Sequence, residues 1–413
     1  MIKMKTIKCR ICGEIIEKTF VDLGRTPLSN AYLKKNMIKK EKKFPLHVLI
    51  CKKCLLVQLE EFESPKNIFS EYAYFSSYSK TWLKHAEEYV KKMKKKFNLD
   101  SDNLVMEIAS NDGYLLQYFK KYKIPVLGIE PAKNVARIAK KKKIPTITKF
   151  FGVKLAKELV KSERQPDLLL GNNVLAHVPK LNDFVKGLKI ILKPNGIITL
   201  EFPHLLKLID KNQFDTIYHE HFSYFSLITL KKLFSIHKLE IFDVEELNTH
   251  GGSLRIFVKH MEDNIHKERK SVKKILEKEK IFGLTKISTY TNFPHEVYSI
   301  REKLLVFLHK AKEDNKVVVG YGAPAKGNTL LNFCKIDSEL IKYTVDMNPH
   351  KQGWYLPGSH IPIRAPNEIY KTKPDYVLIL PWNLKKEIML QMKNIHKWGG
   401  KFVIPIPEVR IYR

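Results

Sequence analysis

From Leu104 onward, short apolar runs alternate with polar turns and amphipathic stretches. LVMEIASNDGYLLQYF reads as a strand, a turn with one glycine and a helix; VLGIEPAKNVARIA repeats the pattern, and DLLLGNNVLAHV and GIITLEFPHL add further strands. Apolar runs of this length bounded by turn residues predict strands buried on both faces. Their alternation with helices predicts an α/β fold with a parallel sheet, whose ligand lies at the carboxyl ends of the strands. The pattern returns in NKVVVGYGAPAKGNTLLNF, followed by IKYTVDMNP, a strand ending at Asp346, and YVLILPWN, one ending near Asn383. Between the two repeats, residues 264–312 are highly charged and helical in period, and Ile300 to Ala311 are amphipathic. Ahead of the first repeat, a helix with Trp82, Ala86, Tyr89 and Val90 on its apolar side is expected, capped by Ser79 or a neighbour.

Composition bounds this picture. The chain has 413 residues, 44% of them hydrophobic and 11% aromatic, enough for two or three domains with real cores. It contains no run of 18 uncharged apolar residues. The start, MIKMKTIKCRICG, lacks the apolar segment and cleavage site of a signal peptide, so a cytoplasmic protein with no membrane partner is expected. The formal net charge of +31 raises nucleic acid or an anionic membrane as partners. The excess is lysine spread over Lys91 to Lys96, Lys140 to Lys143 and Lys267 to Lys280, which reads as a solvated face. Nucleic acid is therefore disfavoured, while the charge suits a phosphorylated substrate.

Cys9 and Cys12 form one Cys-x-x-Cys pair, Cys51 and Cys54 a second. Four thiolates on two tight turns complete a tetrahedral zinc site with no open position, hence a structural metal. Disulfides do not suit the expected compartment, and a redox pair would not need its duplicate. Cys334 reads as a core residue.

The first turn, EIASNDG, has Gly113 as its one glycine, so it lacks the repeated glycines that let a pyrophosphate lie against the backbone. Glu107 sits near the end of the first strand and Glu130 at the end of the second, where a carboxylate can accept hydrogen bonds from ribose hydroxyls. S-adenosylmethionine fits better than a nicotinamide cofactor: its adenosine matches Glu130, and its cationic sulfonium and ammonium tolerate Glu107 and Asp112. The second turn has Gly320, Gly322 and Gly327 with Lys326 near the helix start, which suits a phosphate cradle or, equally simply, a glycine turn required by packing. Two aromatic stretches remain. EYAYFSSYS offers Tyr72 and Tyr74 as parts of a lid, or is an ordinary linker. FDTIYHEHFSYF places two histidines around a glutamate among aromatics, a composition that neither a helix face nor a strand core needs.

Taken in order, the paired Cys-x-x-Cys module, LGRTPLSNAYL, EYAYFSSYS, EIASNDGYLL, GIEPAKNVA, NNVLAHV, YHEHFSYFS, HGGSLR and GYGAPAKGNTLLN resemble the S-adenosylmethionine-dependent C-methyltransferases of nucleotide-linked keto-deoxysugars, those of the mycarose and tetronitrose type. The resemblance covers essentially the whole chain. It implies a zinc-binding module over 1–70, a class I methyltransferase domain with a Rossmann-like sheet over 71–262, and a C-terminal Rossmann-like lobe that helps hold the nucleotide sugar over 263–413. It implies His221 as general base, with Glu220 and Tyr218 beside it and Tyr72 and His177 around the sugar. Ala109, Asn111 and Gly113 would approach the methionine part of the cofactor. Glu130 would hold the ribose and Pro131 would open the next helix; Phe151 would stack on adenine and Asn172 and Asn173 would flank the site, or, equally simply, these three are ordinary loop residues. Tyr74, Gly322, Ala323, Lys326 and Asn383 would contact the substrate. His219 and His250 stay open between structural and functional roles. Competing readings are an RNA methyltransferase that grips nucleic acid through its zinc module and charge, and a nucleotide-sugar-binding relative without turnover.

Overall fold

The computed structural model describes residues 6–64 and 75–412. The chain folds as two compact units, each assembled from three stretches. The first takes Met1–Glu17, Cys51–His204 and Phe222–Thr285; the second takes Lys18–Ile50, Leu205–His221 and Lys286–Arg413. In chain order the strands are β1 (Lys18–Thr26) and β2 (Phe44–Ile50) in the second unit. The first unit holds β3 (Val57–Leu59), β4 (Val105–Ile108), β5 (Val126–Ile129), β6 (Thr146–Ile147), β7 (Leu168–Asn172), β8 (Ile197–Pro203), β9 (Ser223–Tyr224), β10 (Leu239–Leu247) and β11 (Ser253–His260). The second unit resumes with β12 (Val318–Tyr321), β13 (Thr344–Val345), β14 (Ile363–Arg364), β15 (Tyr376–Ile379), β16 (Lys401–Ile404) and β17 (Arg410–Tyr412). Among the described residues, no helix is long and apolar enough to cross a membrane.

The first unit is built on a seven-stranded sheet in the order β10-β11-β8-β7-β4-β5-β6. Strands β4 to β8 are mutually parallel, while β11 runs antiparallel to β8 and β10 antiparallel to β11. The chain moves outward from β4 through β5 to β6, then returns to β7 on the other side of β4. That reversal opens a crevice at the carboxyl ends of β4 and β7. One face of the sheet is covered by the helix Lys80–Lys96, whose Tyr89, Val90 and Met93 join Val105, Leu115 and Phe119 in the core. Ser79 caps that helix, its hydroxyl accepting the Trp82 N–H at 3.2 Å. At the other end of the unit, the buried Glu279 accepts the N–H groups of Leu227 and Ile228 at 2.6 and 2.9 Å, closing the open start of the helix Leu227–Ile236. Glu279 also binds His204 Nε2 at 2.7 Å.

The second unit carries a parallel sheet in the order β14-β13-β12-β15-β16, with β17 antiparallel at its edge. Its reversal lies between β12 and β15. The hairpin β1–β2 belongs to this unit, and its Phe20 stacks on Phe293 with ring centroids 4.8 Å apart. Phe293 begins the helix Phe293–Glu313, which buries Val297, Ile300, Leu304, Leu308 and Ala311, one face at helical spacing. Pro294 occupies its first turn, where a missing N–H costs nothing.

Candidate functional site

The four cysteines converge. Their sulfur atoms all lie within 4.8 Å of one another, with Cys9 and Cys54 3.3 Å apart and Cys12 and Cys51 3.6 Å apart. Zinc–sulfur bonds of about 2.3 Å place the corners of a tetrahedron roughly 3.8 Å apart, so the set fits zinc and is too open for disulfides. Cys334, by contrast, is buried in the second unit, where burial pushes its thiol up to about 12.

At the carboxyl end of β4 the backbone leaves ordinary space: Ala109, Asn111 and Gly113 have φ of +58°, +50° and +74°. The left-handed backbone at φ +74° is what favours glycine at Gly113, and a Cβ there would also push on the end of the Ile144 side chain. Glu130, at the end of β5, holds this turn. One carboxylate oxygen accepts the Asn111 N–H at 2.9 Å and the other the Ala132 N–H at 2.8 Å. Burial pushes its carboxyl up to about 6 against these two donors. Its remaining lone pairs can still receive ribose hydroxyls. Pro131 lies between Glu130 and the helix Lys133–Lys141. Glu107, on β4, is fully buried, and burial pushes its carboxyl well above the usual range. Tyr114 offsets part of that shift.

Two serines of EYAYFSSYS close on the same turn. The Ser76 N–H donates to Asn111 Oδ1 at 3.0 Å, and the Ser77 hydroxyl donates to Asp112, which Lys142 also approaches at 3.5 Å. Tyr72 and Tyr74 lie outside the described residues.

At the end of β7, Asn172 is buried and Asn173 adopts φ +53°. The Asn173 amide meets His250 Nε2 at 3.2 Å, and His250 takes Trp82 against its edge at 5.3 Å. Trp82 in turn stacks on Tyr114 and His85, joining the helix Lys80–Lys96 to the crevice. His250 and Trp82 thus border residues expected at the cofactor, which their sequence context alone does not reveal. Glu201, beside Asn172 in register on β8, anchors this wall. Burial pushes its carboxyl up, yet His85, Arg255 and Thr249 together bring it to about 2. His177 ends the short helical turn after β7, and Phe151 rests edge-on against Phe184 before the helix Val153–Lys161.

Several buried polar atoms around the crevice have no hydrogen-bond partner among the described residues: both Glu107 oxygens, Ser110 Oγ, Asp112 Oδ1 and both polar atoms of Asn172. Buried polar groups are ordinarily satisfied. Carboxylates and amides in that position suit hydroxyls and a cation, the chemistry of S-adenosylmethionine.

The residues of YHEH belong to the second unit. Phe214–Thr216 forms a helical turn, and the chain then folds back so that His221 Nδ1 lies 2.9 Å from the Thr216 carbonyl. A carbonyl only accepts, so Nδ1 carries the proton and Nε2 the lone pair in the neutral ring. Tyr218 lies against that ring, with centroids 4.0 Å apart. Glu220 is buried and accepts the Asn30 amide at 2.7 Å; burial pushes its carboxyl up to about 7 against that bond. His219 donates from Nε2 to the Pro45 carbonyl at 3.1 Å and meets Phe44 edge-on, while burial lowers its pKa. These contacts tie His219 to the hairpin β1–β2.

The second glycine turn follows β12. Gly322 has φ +91°, and a Cβ there would lie 2.5 Å from Pro381. The Ala323 peptide is engaged on both sides: its N–H donates to Asp346 at 2.7 Å, and its carbonyl accepts Tyr32 and Lys351 at 2.6 and 2.7 Å. Lys326 reaches Asn383 Oδ1 at 2.8 Å and lies over the Trp382 ring. Lys326 and Asn383, far apart in sequence, are therefore brought together. The strap Ser29 to Leu33 was not among the expected site residues. Its Ser29 carbonyl accepts Asn328, its Asn30 holds Glu220 and its Tyr32 holds Ala323.

Three family models match the chain: a "Putative zinc binding domain" over residues 9–69, a methyltransferase domain over 82–242 and a C-methyltransferase C-terminal domain over 248–407. C-methyltransferase NovU of Streptomyces niveus is 35% identical over 405 residues, spanning 98% of this chain and 96% of that protein. Among solved structures, a protein of Pyrococcus horikoshii OT3 is 16% identical, covering 48% of this chain and 99% of its own, with a TM-score of 0.36. Magnesium protoporphyrin IX methyltransferase of Synechocystis PCC 6803 with bound SAM is 14% identical, covering 43% and 78%, with a TM-score of 0.33. At these scores the two structures add no weight. The near-full-length identity to NovU, joined to the cysteine cluster and the crevice, decides the matter: the chain belongs to the S-adenosylmethionine-dependent C-methyltransferases.

Proposed function

We propose that the enzyme methylates a carbon of a nucleotide-linked keto-sugar, carbon 3 of a 4-keto sugar, after His221 removes the proton from that carbon. The observation that carries this reading is the hydrogen bond from His221 Nδ1 to the Thr216 carbonyl, which leaves the Nε2 lone pair as the base. Breaking the carbon–hydrogen bond sends its electron pair into an enolate and the proton to Nε2. When bound, S-adenosylmethionine supplies an electrophilic methyl group, whose bond to sulfur breaks as the new carbon–carbon bond forms. Glu220, whose carboxyl sits near 7, is partly protonated at neutral pH and donates to the developing oxyanion; Tyr218 packs against the imidazole and keeps its plane.

In the first unit, Glu130 receives the ribose hydroxyls, and the turn from Ala109 to Gly113, with Asn172 and Asn173, lines the methionine part. Phe151 covers the adenine. Lys326 and Asn383 hold the nucleotide portion of the substrate, beside the turn of Gly322 and Ala323. His177 lies beside the sugar.

The test is His221→Asn. Methyl transfer to a nucleoside diphosphate-linked 4-keto-deoxysugar should fall by about 100-fold or more, while calorimetric binding of S-adenosylmethionine stays within about twofold. Wild-type enzyme should also exchange the substrate carbon's hydrogen for deuterium in heavy water without methyl donor, and the variant should not. Undiminished turnover in the variant would sink the assignment.

A further inference from the structure

Asp215 is a charge in an unexpected place. Its side chain is fully buried, Oδ2 accepts the Trp382 indole N–H at 2.6 Å, and Oδ1 has no hydrogen-bond partner among the described residues. A buried carboxyl whose one side-chain hydrogen-bond donor among the described residues is a neutral indole is costly to keep, and its retention calls for a use.

Its position supplies one. Asp215 is the central residue of the turn Phe214–Thr216, and the next carbonyl, that of Thr216, receives Nδ1–H of His221. The turn is pinned before and after that point. The Phe214 ring meets Phe333 edge-on at 5.4 Å, and the Ile217 carbonyl accepts the Thr329 hydroxyl at 2.8 Å. Thr216 is tied locally, its N–H and hydroxyl donating to the Gln213 carbonyl at 3.0 and 2.7 Å, and the Asp215 side chain adds a long-range polar anchor, reaching 167 residues along the chain to the turn after β15. Burial pushes the Asp215 carboxyl up to about 6, and Lys326, over the same Trp382 ring at 4.6 Å, offsets part of that rise.

We propose that Asp215 is a positioning residue: anchored by Trp382, it holds the Thr216 carbonyl where it fixes His221 as the Nδ1–H tautomer. The proposal takes its functional meaning from the reading of His221 as base, although the tautomer itself does not depend on that reading. It also links Lys326, assigned above to the substrate, with the group that removes the proton.

The test uses the full-length, zinc-loaded chain labelled with 15N-histidine, with the His221 signal assigned by its loss in His221→Asn. The wild type should show one tautomer, protonated at Nδ1. Asp215→Ala and Trp382→Phe should each give a mixture of tautomers and lower kcat about tenfold, as changes in a supporting shell do, with KM held within about twofold. Asp215→Asn keeps an acceptor for the indole and should keep both the tautomer and most of the activity. The double variant Asp215→Ala/Trp382→Phe should be no worse than either single one, because both remove the same link. If Asp215→Ala does not fold, Trp382→Phe carries the same measurement. An unchanged tautomer in a folded variant, or losses that multiply in the double variant, would overturn the proposal. If His221→Asn still methylates but the tautomer shifts as described, the positioning role stands and the base assignment falls.

Discussion

The two strand–turn–helix units of this chain look alike in sequence and differ in what their turns do. The turn after β4 has one glycine and borders buried polar atoms that have no hydrogen-bond partner among the described residues: both Glu107 oxygens, Ser110 Oγ, Asp112 Oδ1 and the Asn172 amide. The turn after β12 is richer in glycine, yet its central peptide is satisfied on both sides by Asp346, Tyr32 and Lys351. Glycine content alone would rank the second turn as the more open to a ligand. The hydrogen-bond inventory reverses that ranking for the backbone itself: the first turn is prepared for a guest, and the second is braced by its own unit.

This contrast can be broken or sharpened by substitution. The largest effect is expected from Gly113→Val, which puts a β-branched residue at φ +74° and drives a Cβ toward Ile144. It should cost roughly 3 kcal/mol of stability and weaken S-adenosylmethionine binding by about 100-fold in calorimetry. Asp346→Ala strips the Ala323 and Asn348 N–H groups of their acceptor and should lower stability by about 2–3 kcal/mol in urea titrations, leaving cofactor affinity within about twofold. Equal damage to cofactor binding by these two variants would dissolve the distinction between the turns.

Glu130 adds a pH test. Its carboxyl near 6 is above the ordinary value, so below pH 6 it must lose a proton before it can receive ribose hydroxyls as a carboxylate. Affinity for S-adenosylmethionine should therefore rise about tenfold from pH 5 to pH 7, and Glu130→Gln should flatten that profile while binding more weakly at pH 7. A wild-type profile with no slope would remove Glu130 from the cofactor. The smallest effect is expected from Tyr32→Phe, which leaves Lys351 on the Ala323 carbonyl and should cost about 1 kcal/mol of stability.

Local pattern made much of this legible. The runs around Val105, Val126, Leu168 and Ile197 are strands β4, β5, β7 and β8, the runs around Val318, Thr344 and Tyr376 are β12, β13 and β15, and Ser79 caps its helix as read. Periodicity and capping act within a few residues, so a single sequence displays them. The cysteine pairs were equally plain, because spacing within each pair reports the turn and the metal supplies the reason for two pairs. The pairings Asn30 with Glu220, Trp82 with His250 and Asp215 with Trp382 span long stretches of chain, and no periodicity announces them. The contact of His219 with the Pro45 carbonyl was hidden for the same reason, the two being 174 residues apart.

The cysteine cluster has a consequence for how the protein is made. Its two pairs flank residues 13–50, and most of that loop, Lys18–Ile50, belongs to the second unit, whose last stretch begins only at Lys286. On the ribosome, the hairpin β1–β2 emerges early, yet Phe20 has no Phe293 to stack on until more than two hundred further residues have been added. During that interval the apolar faces of Phe20, Val21, Leu46 and Val48 stand open to wrong partners. Zinc captured by the first 54 residues would tether both ends of this waiting hairpin, so metal supply during translation should govern how much of the nascent chain escapes aggregation.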